Sequence, residues 1–161
     1  MEKDLIFRNA EESDTALILT FIKALADYEK MSDDVTATEE GLREWIFEKQ
    51  KAEVIFAVHD GREVGFALFF NNFSTFLGKA GIYLEDLFVF PEYRGKGFGK
   101  ALLTELAKIT VERECGRLEW QCLDWNTPSI NFYLSLNAKQ MSEWQTYRLS
   151  GETLRKLAEE K

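Results

Sequence analysis

Apolar residues recur along this chain with two periods. Leu17, Phe21 and Leu25 stand at i, i+4 and i+8 with Ile18 and Ile22 beside them. That spacing predicts a helix with one apolar face, ending near Tyr28. Ahead of it Leu5-Ile6-Phe7-Arg8 predicts a first strand, and Ser13 is placed to cap the helix. A second helix opens over 36–42. Thr36 and Glu39 stand at the spacing of a capping box, and Leu42, Trp45 and Ile46 share a face. Val54 to Val58 reads as a strand, Asp60-Gly61-Arg62 as a hairpin turn, and Val64 to Phe70 as the paired strand. Asn71 to Gly78 reads as a loop and Ala80 to Val89 as a further strand. From about Phe98 to Glu114 a helical pattern turns Leu102, Leu103, Leu106 and Ile109 inward, and Leu118 to Leu123 is another strand. Pro128 suits the first turn of a helix carrying Tyr133. Met141 to Leu149 is expected to form one or two closing strands, and Glu152 to Glu160 a short last helix. Strands interspersed with helices in this order make the class α/β with a mixed sheet.

Composition narrows this picture. A chain of 161 residues suits one domain, taken here as residues 1–161, and 45% hydrophobic content is too apolar for disorder. Met1-Glu2-Lys3-Asp4 is charged, unlike a secretory leader, and no apolar run reaches the ~20 residues that span a bilayer. Cys115 and Cys122 lie apart without metal-ligand spacing, and His59 is the only histidine. Metal ligation is therefore not expected, and a reducing, cytoplasmic compartment is. The net charge of −8 opposes non-specific nucleic-acid binding. It would steer a cationic substrate inward, and it equally serves ordinary solubility.

The chemistry concentrates between Leu84 and Lys100. An apolar run bearing Glu85 and Asp86 enters a turn with three alternating glycines, Gly95, Gly97 and Gly99, and a helical pattern follows. Glycine lets the backbone take φ > 0 and approach a ligand closely. The N–H groups opening the next helix then converge on one spot, an anion site reinforced by the helix dipole. The loop is not a Walker loop, because Gly99-Lys100 is followed by Ala101 and the position five before Gly99 is Arg94. It is not a dinucleotide fingerprint either, because the last glycine is missing from Gly95-Lys96-Gly97-Phe98-Gly99-Lys100. Arg94, Gly97 and Gly99 do satisfy Arg-x-x-Gly-x-Gly. Taken alone, the loop reads as readily as a plain strand-to-helix turn.

About 25 residues further on comes Asn126-Thr127-Pro128-Ser129-Ile130-Asn131-Phe132-Tyr133. With it, the loop resembles the acyl-CoA pyrophosphate loop of the GNAT N-acetyltransferase superfamily. Tyr83-Leu84-Glu85-Asp86 and Ala26-Asp27-Tyr28-Glu29 make the chain similar, over nearly its whole length, to the spermidine/spermine (diamine) and thialysine N-acetyltransferases. The resemblance implies a GNAT fold with a mixed, mostly antiparallel, six- to seven-stranded sheet, helices on both faces and a bulged central strand. It also implies acetyl-CoA as co-substrate. The backbone of Leu87, Phe88 and Val89 would line the pantetheine and acetyl carbonyl. Arg94, Gly95, Lys96, Gly97, Phe98, Gly99 and Lys100 would cradle the pyrophosphate, and Asn126, Ser129 and Tyr133 would meet the CoA arm.

A primary amine of pKa about 10.4 is protonated at pH 7 and must lose a proton before it attacks. By the resemblance Glu85 is the base, directly or through water, and Tyr133 gives its hydroxyl proton to the CoA sulfur. Asp86 would help hold the cationic acceptor, with Tyr28, Glu29 and Glu143 bordering its site. Each of these has a plainer alternative, as a surface carboxylate, a solvated helix end or, for Tyr133, an aromatic of an amphipathic helix. The loop Asn71 to Gly78 departs from the polyamine enzymes in carrying no carboxylate, which argues against a long polycation and leaves a shorter diamine, a lysine analogue or an unrelated small amine open. A protein or peptide N-acetyltransferase and a non-catalytic acyl-CoA-binding module are the alternatives. The resemblance further implies a homodimer, while the net charge and the lack of a long apolar run lead to the expectation of no nucleic-acid or membrane partner.

Overall fold

The computed structural model describes residues 4–161; the charged opening Met1-Glu2-Lys3 lies outside the described residues. The chain divides into two compact units, the first ending at Gln121 and the second formed by Cys122–Lys161.

The first unit is built on one sheet in the order β1 (Leu5–Asn9), β2 (Glu53–His59), β3 (Arg62–Ser74), β4 (Lys79–Val89), β5 (Leu118–Trp120). Neighbours are antiparallel through β4, and β5 joins β4 in parallel after the crossover through α3 (Phe98–Glu112). Asp60 and Gly61 both take positive φ, +49° and +73°, as the two-residue turn between β2 and β3 requires. β3 runs on to Ser74, four residues beyond the expected end. Its backbone stays paired with β4 down to Ser74↔Lys79, so the expected loop shrinks to the turn after it.

Helix α1 (Thr15–Tyr28) lays the predicted face on one side of the sheet. Ile18 and Phe21 are fully buried with Val54, Phe56, Val58, Phe66 and Phe88, and the Phe21 ring stacks 4.9 Å from Phe66 and 4.5 Å from Phe90. Helix α3 buries Leu102, Leu103 and Leu106. It comes so near the sheet that a Cβ on Gly65 would lie 3.0 Å from Leu102 Cδ1. Burial of these side chains is worth on the order of 2 kcal/mol each and explains why the 3.6-residue period was readable.

Several local expectations change. Ser13 does not cap α1; it sits in the short turn Glu12–Asp14. Asp14 instead accepts from the backbone of Glu11 at 2.7 Å and from Arg8 at 2.8 Å. The box at Thr36 and Glu39 is replaced by Thr38, which accepts from Gly41 N–H at 3.0 Å, so α2 (Glu39–Leu42) starts later and continues as one wide π-helical stretch, Arg43–Glu48. β5 ends at Trp120 rather than at 123.

The second unit holds α4 (Thr127–Ser135) and α5 (Gly151–Glu159). Asn126 caps α4, its Oδ1 accepting from Ser129 N–H at 3.4 Å, with Pro128 in the first turn. The closing strands expected over 141–149 do not form, so the sheet has five strands and not six or seven. That segment contains β-forming residues, but a strand exists only when its backbone groups meet another strand, and the second unit contains none.

Candidate active site

The centre of the first unit's site is an irregularity in β4. Leu68 pairs with Asp86 and Phe69 with Leu84, so Glu85 is an extra residue facing no partner on β3. Two backbone bonds require the same insertion. Ile82 N–H donates to Arg117 O on the β5 side, whereas Phe90 N–H donates to Val64 O on the β3 side. Eight residues apart on a regular strand, both would point the same way. One bulged residue reverses the parity, and the N–H groups of Leu87 and Val89 therefore point away from β3. On that side the pairing with β5 has already stopped at Leu84↔Trp120. The bulge thus yields a stretch of β4 whose outward N–H groups meet no neighbouring strand among the described residues.

The bulge also resolves the problem of two adjacent carboxylates. Glu85 is exposed and Asp86 is largely covered. Burial pushes the Asp86 carboxyl up to about 6, helped by the charges of Glu85 and then Glu29. Glu29, which ends α1, is raised as well, first by burial and then by Glu85. Tyr83 is raised by burial, then by Glu85 and Glu119. Three expected site residues, Glu29, Glu85 and Asp86, are therefore one electrostatically coupled group, a local concentration of negative charge that a bound cation relieves.

Beside it the guanidinium of Arg94 donates from Nε to Val89 O at 3.0 Å and lies 4.8 Å from the Tyr28 ring and 5.0 Å from the Phe88 ring. Tyr28 and Phe88 meet edge to face at 6.4 Å. Arg94 thus ties the end of α1 and the end of β4 to the glycine loop. Sequence reasoning missed this link, and no local signal could have carried it, because Tyr28 and Arg94 are brought together only by the packing of α1 on the sheet.

In the loop itself, Gly95 and Gly97 take φ +78° and +82°, and Gly97 is the left-handed N-cap of α3. No side chain caps the helix there, and a Cβ built on Gly95, Gly97 or Gly99 meets no atom within 4 Å. The backbone conformation demands glycine at 95 and 97, and the uncapped N–H groups of α3 form the kind of site that anions take. Phe98 is buried and anchors the first turn, while Lys96 and Lys100 are exposed. Asn126, Ser129, Tyr133 and Glu143 all stand in the second unit. There Asn126 is buried, the Tyr133 ring lies 5.6 Å from Phe132, and Glu143 is exposed in the segment without strands. Among the described residues no group of His, Cys, Asp and Glu is arranged to hold a metal.

Known proteins are similar to this chain in sequence and fold. Residues 19–137 match the acetyltransferase (GNAT) family, and this chain belongs to it and is an N-acetyltransferase. It is 36% identical to the bovine (Bos taurus) thialysine N-epsilon-acetyltransferase over 96% of this chain and 97% of that one. It is 50% identical to an L-ornithine N5-acetyltransferase of Arabidopsis thaliana over 56% of this chain and 40% of that protein. Among solved structures, an integron cassette protein from the mobile metagenome of V. cholerae superposes with a TM-score of 0.81 at 30% identity, covering 98% of this chain and 99% of that one.

Proposed function

We propose that this enzyme transfers the acetyl group of acetyl-CoA to a primary amine of a small diamine, polyamine or lysine-like acceptor, by direct attack within a ternary complex. The observation that carries the acceptor class is the coupled group Glu29, Glu85 and Asp86, which favours a cation beside the β4 bulge. Relatives named for thialysine and ornithine, both amino acids with a side-chain amine, support the same class.

In this reading acetyl-CoA supplies an activated thioester. The outward N–H groups of Leu87 and Val89 bind the pantetheine and polarise the acetyl carbonyl, and Phe88 holds the strand between them. The N–H groups of Gly95, Gly97, Phe98 and Gly99, with Arg94, Lys96 and Lys100, take the pyrophosphate. Asn126 and Ser129 meet the CoA arm. Glu85 removes one proton from the ammonium, directly or through water, the new C–N bond forms, and the C–S bond breaks. Tyr133 protonates the departing thiolate and is restored by the second proton released from nitrogen. Asp86, Glu29, Tyr28 and Glu143 hold the acceptor. No metal enters this chemistry.

We extend the proposal to a homodimer acting in the cytoplasm, with residues 1–161 as one acetyltransferase domain and with no nucleic-acid or membrane partner. The family match, which runs across both units, supports the single domain. The decisive experiment is CoA release from acetyl-CoA over a panel of putrescine, spermidine, spermine, lysine, thialysine, ornithine, aminoglycosides and basic peptides. Turnover with a small amine is expected. Turnover confined to peptides overturns the acceptor class.

A further inference from the structure

A surface cavity of about 380 Å³ lies between the β2–β3 turn and the loop entering α3, lined by His59, Asp60, Arg62, Tyr93 and Lys96. Its size is that of a small-ligand site. Its charge runs against the rest of the chain, which carries a net −8. Of the other five arginines of the first unit, four are neutralised, Arg8 by Asp14 and Glu63, Arg43 by Glu12 and Glu48, Arg113 by Glu53 and Arg117 by Glu119, and the fifth, Arg94, is engaged by the carbonyl of Val89. Arg62 and Lys96 stand in no ion pair among the described residues, although both face this one cavity.

The wall is packed against the first turn of α3. The His59 ring packs 5.1 Å from Phe98, the buried first residue of α3, and its Nε2 lies 3.4 Å from Asp60 Oδ2. The carboxylate in the cavity is thereby directed to His59. The left-handed pair Asp60-Gly61 sets Arg62 immediately after it, at the start of β3. Lys96 belongs to the glycine loop, so this cavity and the anion site at α3 share a wall.

We infer that this cavity is a phosphate-monoester site, in which Arg62 offers its planar fork, Lys96 a point charge and Tyr93 a hydroxyl donor. A phosphate monoester carries close to two negative charges at pH 7 and three acceptor oxygens, which matches two unpaired cations better than a carboxylate does. The group has two sources: the 3′-phosphate of the CoA moiety, which rests on the donor proposed above, or a free phosphate bound beside it, which does not.

The test is direct binding, with no acceptor amine present. Calorimetry gives Kd for CoA and for 3′-dephospho-CoA with wild type, Arg62→Gln and Arg62→Lys. For the CoA source, wild type prefers CoA by about tenfold, Arg62→Gln shrinks the ratio to about twofold by weakening CoA alone, and Arg62→Lys keeps most of it. For the free source, that ratio is unchanged by Arg62→Gln, but inorganic phosphate binds the CoA-saturated wild type and not the variant. Arg62 is exposed, and equal thermal midpoints check that folding is intact. If Arg62→Gln and Lys96→Gln alter neither the CoA ratio nor phosphate binding, the inference is overturned. If neither CoA nor dephospho-CoA binds wild type, the donor reading falls while the phosphate titration still decides the cavity.

Discussion

Arg94 donates its Nε–H to the carbonyl oxygen of Val89 across 3.0 Å, joining the glycine loop to the last residue of β4. The contact matters because the loop and the strand end are the two parts of the proposed donor site, and one guanidinium fixes their separation while resting on Tyr28 and Phe88. Arg94→Lys keeps the charge but loses the fork and the flat stacking surface. We expect a loss of about 1 kcal/mol in urea unfolding, since the residue is exposed, and about a fivefold weaker Kd for CoA by calorimetry. An unchanged Kd would show that the tether is dispensable.

Asp86 ties stability to pH. Its carboxyl rises from 3.8 to about 6, burial being the largest cause and Glu85 the next. Well below pH 3.8 it is protonated both folded and unfolded and costs nothing. Between pH 4 and 6 the unfolded chain ionises first, so folding stability falls as pH rises, and above pH 6 the cost is constant, at most about 3 kcal/mol. Asp86→Asn removes that cost. The variant should be more stable than wild type at pH 7.5 and nearly equal to it about one pH unit below the unfolded value of 3.8, as read from urea midpoints. Greater stability of the variant at both pH values would place the effect in packing.

If Asp86 also holds the acceptor, wild-type KM for a diamine should fall as pH rises through about 6, when the carboxylate ionises, and Asp86→Asn should flatten that dependence. A KM profile identical in the two proteins would remove Asp86 from the acceptor site.

Glu85→Gln should lower kcat by about 100-fold at pH 7, the usual contribution of a positioned base. Activity should partly recover toward pH 9, where more of the acceptor loses its proton unaided. Full activity from pH 7 to 9 would exclude Glu85 as the base.

Tyr133→Phe keeps the aromatic contact with Phe132 and removes only the hydroxyl. A kcat lower by about 10- to 100-fold with unchanged CoA affinity is expected. Turnover at the wild-type rate would exclude Tyr133 as the acid.

The sequence by itself determined the elements whose signals are local. Leu17, Phe21 and Leu25 announced α1 because a helix repeats every 3.6 residues, Asp60-Gly61 announced its hairpin because few residues accept positive φ, and Gly95 and Gly97 marked the loop for the same reason. The apolar run over 80–89 located β4 and its two carboxylates, and the resemblance implied a bulged central strand. Only the tertiary structure decided what depends on a partner distant in sequence. The bulge at Glu85 is defined by register against β3, the raised Asp86 by burial and by Glu29 from α1, and the Arg94 tether by Tyr28. The strands expected over 141–149 failed for the mirror reason: β-forming side chains bring no ladder when no second strand of their unit stands beside them. A helix satisfies its hydrogen bonds within its own segment, so its sequence suffices. A strand and a charged site are completed by residues far along the chain, so the fold must first bring those residues together.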